Sequence, residues 1–138
     1  MRDYEDFEFF NGNFVIIDKT RNYNIKIHSV NNENYYGKSH ITIDNLEFNK
    51  YFKVTAENEE DIQQYLTPSL IQFIADFREK YGIDFEIIFK DKIYIRFFTG
   101  DMFEPKMFGK IVDEYSVYKF YVITKFAKEL VEKLGIDN

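Results

Sequence analysis

The dipeptide Thr67-Pro68 constrains this chain more than any other feature of its sequence. Proline lacks an N–H and fixes φ, so Pro68 suits the first position of a helix, where no backbone partner is lost. Its ring also pushes Thr67 out of the helical region, so a helix arriving from upstream must stop there. The Thr67 hydroxyl can cap the helix that follows. Upstream, Asn58 is a second capping residue, and Glu59, Glu60 and Asp61 fall in a first turn, where the helix dipole favours negative charge. Downstream, Leu70, Phe73, Ile74, Phe77 and Tyr81 recur at three and four, giving one broad apolar face that Gly82 is placed to end. The stretch Leu46–Phe77 therefore predicts a strand, a short helix, a corner and an amphipathic helix. Within it, Phe48–Ala56 reads as a turn or helical piece leading into a strand over Phe52–Thr55.

The rest of the chain alternates short strands with polar turns. Asn11-Gly12 between FEFF and NFVII is a strong hairpin signal, because both residues tolerate positive φ. Phe7 and Phe9 alternate on the first strand, Phe14 and Ile16 on the second. Tyr23–Val30 reads as a third strand, with Tyr23, Ile25 and Ile27 alternating with Asn24, Lys26 and His28. Asn31–Ser39 is a polar loop, His40–Ile43 a further strand, and Asp44-Asn45 a turn. Two more strands follow at Phe85–Phe89 and Ile93–Phe98. Thr99-Gly100-Asp101 is a turn, and Met102–Gly109 a loop rich in Met and Phe.

The last element reads as one helix over Ile111–Leu134, ended by Gly135. Ile123, Ala127, Leu130 and Leu134 form a stripe on its second half. Its first half is apolar nearly all round, which implies burial on two sides, or else a strand, since the stretch is rich in aromatic and β-branched residues. As a helix it leaves Tyr118 or Tyr121 facing a second partner or solvent. The expected fold is α+β: one domain over residues 1–138, with a mainly antiparallel sheet of about six strands, two or three covering helices and a long C-terminal helix.

Composition narrows the function. The net charge of −6 disfavours a nonspecific nucleic-acid surface, which needs clustered Lys and Arg. The absence of cysteine removes disulfides, thiolate zinc sites and cysteine nucleophiles, and fits a reducing compartment. No run approaches the roughly 18 apolar residues of a membrane span. The acidic start MRDYED is not the basic region that opens a signal peptide. A soluble chain is expected.

Candidate chemistry is sparse. His28 and His40 flank one loop, but a metal there would also need carboxylates such as Asp44 or Glu33, and two histidines on strands more simply face solvent. Glu57–Asp61 is explained by capping and the helix dipole. Asp101 and Glu104 are a pair of loop carboxylates, yet nothing in their setting implies the pocket that acid–base catalysis needs. No phosphate loop, nucleophile elbow or dinucleotide fingerprint is present, so no enzyme and no cofactor is expected. The aromatic excess, Phe 16 and Tyr 11, remains. Tyr35 and Tyr36 in the loop, with Tyr115, Tyr118 and Tyr121 on the last helix, are residues a binding surface uses, although core and scattered surface tyrosines would also account for them.

Four segments resemble one protein family. Phe48-Asn49-Lys50-Tyr51-Phe52-Lys53-Val54 resembles an F-x-x-x-F-x-V element, and Tyr65-Leu66-Thr67-Pro68-Ser69-Leu70 a Y-x-L-T-P segment, allowing for one residue. Lys92-Ile93-Tyr94-Ile95 with Phe103-Glu104-Pro105, and Phe9-Phe10-Asn11-Gly12-Asn13-Phe14, resemble two more. Their order matches the soluble region of the Domain of Unknown Function 3137 family of bacterial proteins. The resemblance implies no activity, cofactor or catalytic residue. It implies a setting on the cytoplasmic side of a membrane, since members commonly carry hydrophobic segments ahead of this region.

The reading that results is a non-catalytic protein-interaction module, binding a protein partner or its own kind and no nucleic acid. The alternatives are a small apolar ligand or lipid-binding domain, an acidic inhibitor of a basic target, and a hydrolase using Asp101 and Glu104.

Overall fold

A computed structural model describes residues 7–10, 14–18, 24–31, 40–98 and 114–134. Six strands form one sheet: β1 (Phe7–Phe10), β2 (Phe14–Ile17), β3 (Ile25–Ser29), β4 (Phe52–Ala56), β5 (Phe85–Phe89) and β6 (Ile93–Phe97). Their order across the sheet is β1-β2-β6-β5-β3-β4, and every neighbouring pair is antiparallel. Among the described residues four helices accompany the sheet: α1 (Leu46–Tyr51), α2 (Glu59–Tyr65), α3 (Pro68–Tyr81) and α4 (Glu114–Leu134). None of these helices is long and apolar enough to cross a membrane.

The local signals act as the sequence suggests. Asn58 Oδ1 accepts from the Glu60 N–H, and Thr67 Oγ1 accepts from the Leu70 N–H, with Thr67 extended and Pro68 opening α3. Gly82 ends α3 at φ 67°, the left-handed cap that glycine adopts without strain. The expected hairpin is there, with Phe10 opposite Phe14. The Asn11-Gly12 link itself lies outside the described residues.

One expected strand is absent. His40–Ile43 contributes a single bridge, Ile41 to Val54, rather than a ladder. The chain turns away at once: the Asn45 N–H bonds the Ile43 carbonyl, and Asn45 Oδ1 caps α1 through the Phe48 N–H. Asn45 is thus a helix cap as well as part of a turn. The predicted helical piece before β4 is α1.

One face of the sheet carries the core. Ile25 and Ile27 of β3, Phe85, Ile87 and Phe89 of β5, and Ile93, Ile95 and Phe97 of β6 are all buried. On β2 the buried residues are Val15 and Ile17, not Phe14 and Ile16; all four are apolar, so alternation alone left the phase open. The core face is covered by Phe48, Leu70, Ile74 and Phe77 from α1 and α3, and by Ile123, Ala127 and Leu130 from α4.

Phe126 is the centre of this packing. Its ring lies 4.3 Å from Phe77, 5.2 Å from Phe73, 5.1 Å from Phe85 and 6.1 Å from Phe97, so one side chain ties α4 to α3 and to two strands. Such offset and edge-on pairs add to the gain from area burial alone.

Phe126→Ala is expected to destabilise the fold by about 3–5 kcal/mol, through lost transfer energy and an incompletely collapsed cavity. Leu46→Ala, at a side chain 87% exposed, should stay within about 0.5 kcal/mol. Urea denaturation of the two variants checks both values.

Candidate functional site

The contacts of Phe126 fix how α3 and α4 lie. Phe73, near the start of α3, stacks on Phe126 and lies under Lys133, near the end of α4. Tyr81, at the end of α3, shares a groove with Val122, well before Lys133 on α4. The two helices are therefore antiparallel, and α4 begins before the level at which α3 ends. Residues 114–121 run about 12 Å past Tyr81 at 1.5 Å per residue.

This offset decides which aromatic residues are exposed. Val122, Ile123, Phe126, Ala127 and Leu130 are buried, whereas Tyr118 is 53%, Phe120 43% and Tyr121 60% exposed. The part of α4 that the sequence marks as apolar all round is thus uncovered on more than one side. Tyr118 and Tyr121 are both exposed, where the helical reading requires at least one of them to be.

Between α3 and α4 lies a groove of about 260 Å³. Its apolar lining is Phe73, Phe77, Tyr81, Val122 and Phe126. Its rim is charged: Asp76 and Lys80 from α3, Lys125 and Glu129 from α4. Tyr118 precedes Val122, Lys125 and Glu129 at spacings of four, three and four, so it continues the α4 wall of the groove by one turn. The aromatic content of the sequence suggested a surface here, but the groove itself joins two helices distant in sequence. Only the apolar stripe of α3 hinted at its other wall.

The other sequence candidates scatter. Tyr35, Tyr36, Asp101 and Glu104 lie outside the described residues. Tyr115 belongs to α4, with its side chain outside the description. The segments carrying His28 and His40 do not pair: β4 runs between them, with Val54 opposite Ile27 on one side and bridged to Ile41 on the other. His28 Nε2 instead lies 3.1 Å from Thr55 Oγ1.

A polar cluster that sequence reasoning missed sits where β3 ends. Ser29 is fully buried, and its hydroxyl donates to Asp84 Oδ2 at 2.6 Å while its N–H donates to Glu86 Oε2 at 3.1 Å. Asn31 donates to both Ser29 Oγ and Asp84 Oδ2. Asp84 Oδ1 accepts from the Phe85 N–H and lies 3.6 Å from Arg78 Nε, whose guanidinium rests 4.5 Å over the Tyr51 ring. Two carboxylates converge on one serine, which is fully buried. What the arrangement does is hold the end of β3 against the start of β5, past the last paired residues Ile27 and Ile87. The available signal was period two: Ser29 occupies the inward position after Ile25 and Ile27.

A family model described as "Protein of unknown function (DUF3137)" matches residues 6–136. Comparison with curated proteins and with solved structures finds no match.

Ser29→Ala is expected to cost about 1–3 kcal/mol, because buried hydrogen-bond partners lose their donor; urea denaturation measures it. A second expectation concerns alkaline pH. The Tyr51 hydroxyl donates to Glu79, which holds its pKa above the ordinary 10.0, and partial burial followed by a bond to Asp91 does the same for Tyr94. A raised folded-state pKa gives stability that is complete below 10.0 and disappears as pH rises through the raised value. Ultraviolet titration should therefore show tyrosines ionising late, and Tyr51→Phe should remove part of that late phase.

Proposed function

We propose, from the premise that the chain belongs to the DUF3137 family of proteins of unknown function, that it is a non-catalytic protein-interaction module. The observation that carries this reading is the exposure of Tyr118, Phe120 and Tyr121 on a helix whose next turns line an aromatic-floored groove. Large rigid rings beside a small apolar recess are the composition of interface hot spots. The charged pairs at the rim match the polar surround of such sites.

Size favours a protein partner over a small apolar ligand or lipid. Ligand pockets run from about 300 to 1,000 Å³ and bury most of the bound molecule. At about 260 Å³ the groove lies below that range. It holds an anchoring side chain with the rest of the partner resting on the rim. The setting implied by the family, the cytoplasmic side of a membrane, belongs to the same proposal.

The test is differential capture followed by titration. The wild-type chain, Leu46→Ala and the double variant Tyr118→Ala/Tyr121→Ala are each immobilised after circular dichroism confirms that all three fold. A partner retained by the first two and lost from the third is then purified and titrated. The double variant should bind it at least about tenfold more weakly, the scale of a hot-spot truncation. Equal affinity for all three proteins overturns the proposal.

A further inference from the structure

The helices occupy one face of the sheet. Their buried side chains join Ile25, Ile27 and Ile87 in a single core, and no described element covers the opposite face. Alternation along each strand and the pairing register fix what that outer face carries. One row crosses five strands: Ile16 of β2, Tyr94 of β6, Ile88 of β5, Lys26 of β3 and Thr55 of β4, each opposite the next. Beside it Phe14, Arg96 and Glu86 stand opposite one another on β2, β6 and β5, and Lys53 opposite His28 on β4 and β3.

Two properties coincide on this face. Its middle is apolar: Ile16, Tyr94 and Ile88 are neighbours in one row, all half-buried, and the Phe14 ring stacks on Tyr94 at 6.5 Å. The solvated side of an antiparallel sheet is ordinarily polar. Its charge is basic. Lys53 and Arg96 are exposed and Lys26 half-buried, whereas Glu86 is only 8% exposed and accepts the Ser29 N–H. Glu8, opposite Ile16 on β1, stands at the far edge of the row. Asp18 and Asp91, at one end of the sheet, are taken up by Lys92 at 3.5 Å and by the Tyr94 hydroxyl at 3.2 Å. The four helices on the other face are net negative, with nine carboxylates against seven cations. An anionic partner is thus drawn to the sheet side of this acidic chain and not to its helical side.

We infer a second docking face, separate from the rings of α4: the outer side of the sheet receives an acidic, amphipathic helix of a partner protein. The apolar row spans two strand spacings, about 10 Å, the width of one helix. A helix laid along β6 buries its apolar stripe on Ile16, Tyr94 and Ile88. Its carboxylates meet Lys26 at one flank and Arg96 two residues further along β6, and Lys53 on the edge strand adds to the field. A sheet twists by about 20° from strand to strand, so a rod following one strand touches more of it than a flat bilayer does. Three cations are too few for a phosphate backbone, whose binding rests on many neutralised charges.

Labelled helical peptides of about 18 residues test this on the intact chain. One has a leucine stripe bordered by glutamates, a second has lysines in place of the glutamates, and a third keeps the glutamates but has alanine in the stripe. Fluorescence anisotropy should show the first binding at least about tenfold more tightly than the others, with its advantage over the lysine peptide shrinking in high salt. Lys26→Gln/Arg96→Gln should weaken the first peptide about tenfold. Lys26→Gln/Lys53→Gln, which keeps Arg96 opposite Glu86, should weaken it in the same direction; circular dichroism checks the folding of both. Tyr118→Ala/Tyr121→Ala should leave it unchanged. Loss of the peptide in that variant puts it on α4 and overturns the inference while leaving the α4 surface as a docking site. Equal binding of the glutamate and lysine peptides, no binding of any peptide, or binding that neither lysine variant alters also overturns it. So does co-sedimentation with phosphatidylserine vesicles that Lys26→Gln/Lys53→Gln abolishes, since the occupant is then a lipid surface.

Discussion

The packing of Phe126 is the constraint on which the rest of this structure depends. One ring contacts Phe73 and Phe77 on α3, Phe85 on β5 and Phe97 on β6. Because it touches α3 twice, one turn apart, it settles the level of α4 along α3. Because it touches two strands, it also sets the depth of α4 over the sheet. Moving α4 by a single turn would put Val122 or Leu130 in its place and leave a volume mismatch at the centre of the core, which dense packing does not accommodate cheaply.

The consequences for the surface follow from that fixed level. The part of α4 before Val122 lies beyond the end of α3, so Tyr118, Phe120 and Tyr121 are left outside while Phe126, a few residues later, is buried. The same register sets charged side chains of both helices, Asp76, Lys80, Lys125 and Glu129, along one groove. Neither arrangement is a property of α3 or α4 alone. Gly82 contributes by ending α3 sharply: its left-handed backbone sends the chain toward β5, and another helical turn there would cover the α4 wall on which Tyr118 lies.

How much of this was legible in the sequence depended on whether the signal was local. Caps, corners and stops are local chemistry, so Asn58, Thr67-Pro68 and Gly82 could be read directly. Alternation on β3 was readable because Lys26 and His28 separate Ile25 from Ile27. On β2 the run FVII offers no such contrast, and the buried phase was hidden. His40–Ile43 has strand-like residues, but Asn45 starts α1 so soon afterwards that only Ile41 bridges to β4; capping prevailed over β propensity. The groove and the Ser29 cluster were invisible for a common reason. Each joins residues about 45 to 60 positions apart, from Phe77 to Phe126 and from Ser29 to Asp84, and no local pattern encodes such meetings. The tyrosines of α4 were legible as a candidate surface but not as a wall of anything.

The polar groups of the molecule fall into two kinds, and the difference bears on function. At the end of β3, Ser29, Asn31, Asp84 and Glu86 are engaged with one another and with backbone N–H groups, around a fully buried serine. Around the groove the charges are exposed or half-exposed, flank an apolar recess, and join no ion pair among the described residues. The first group fastens two strands to each other; the second leaves its charge at the surface, beside the exposed rings of α4.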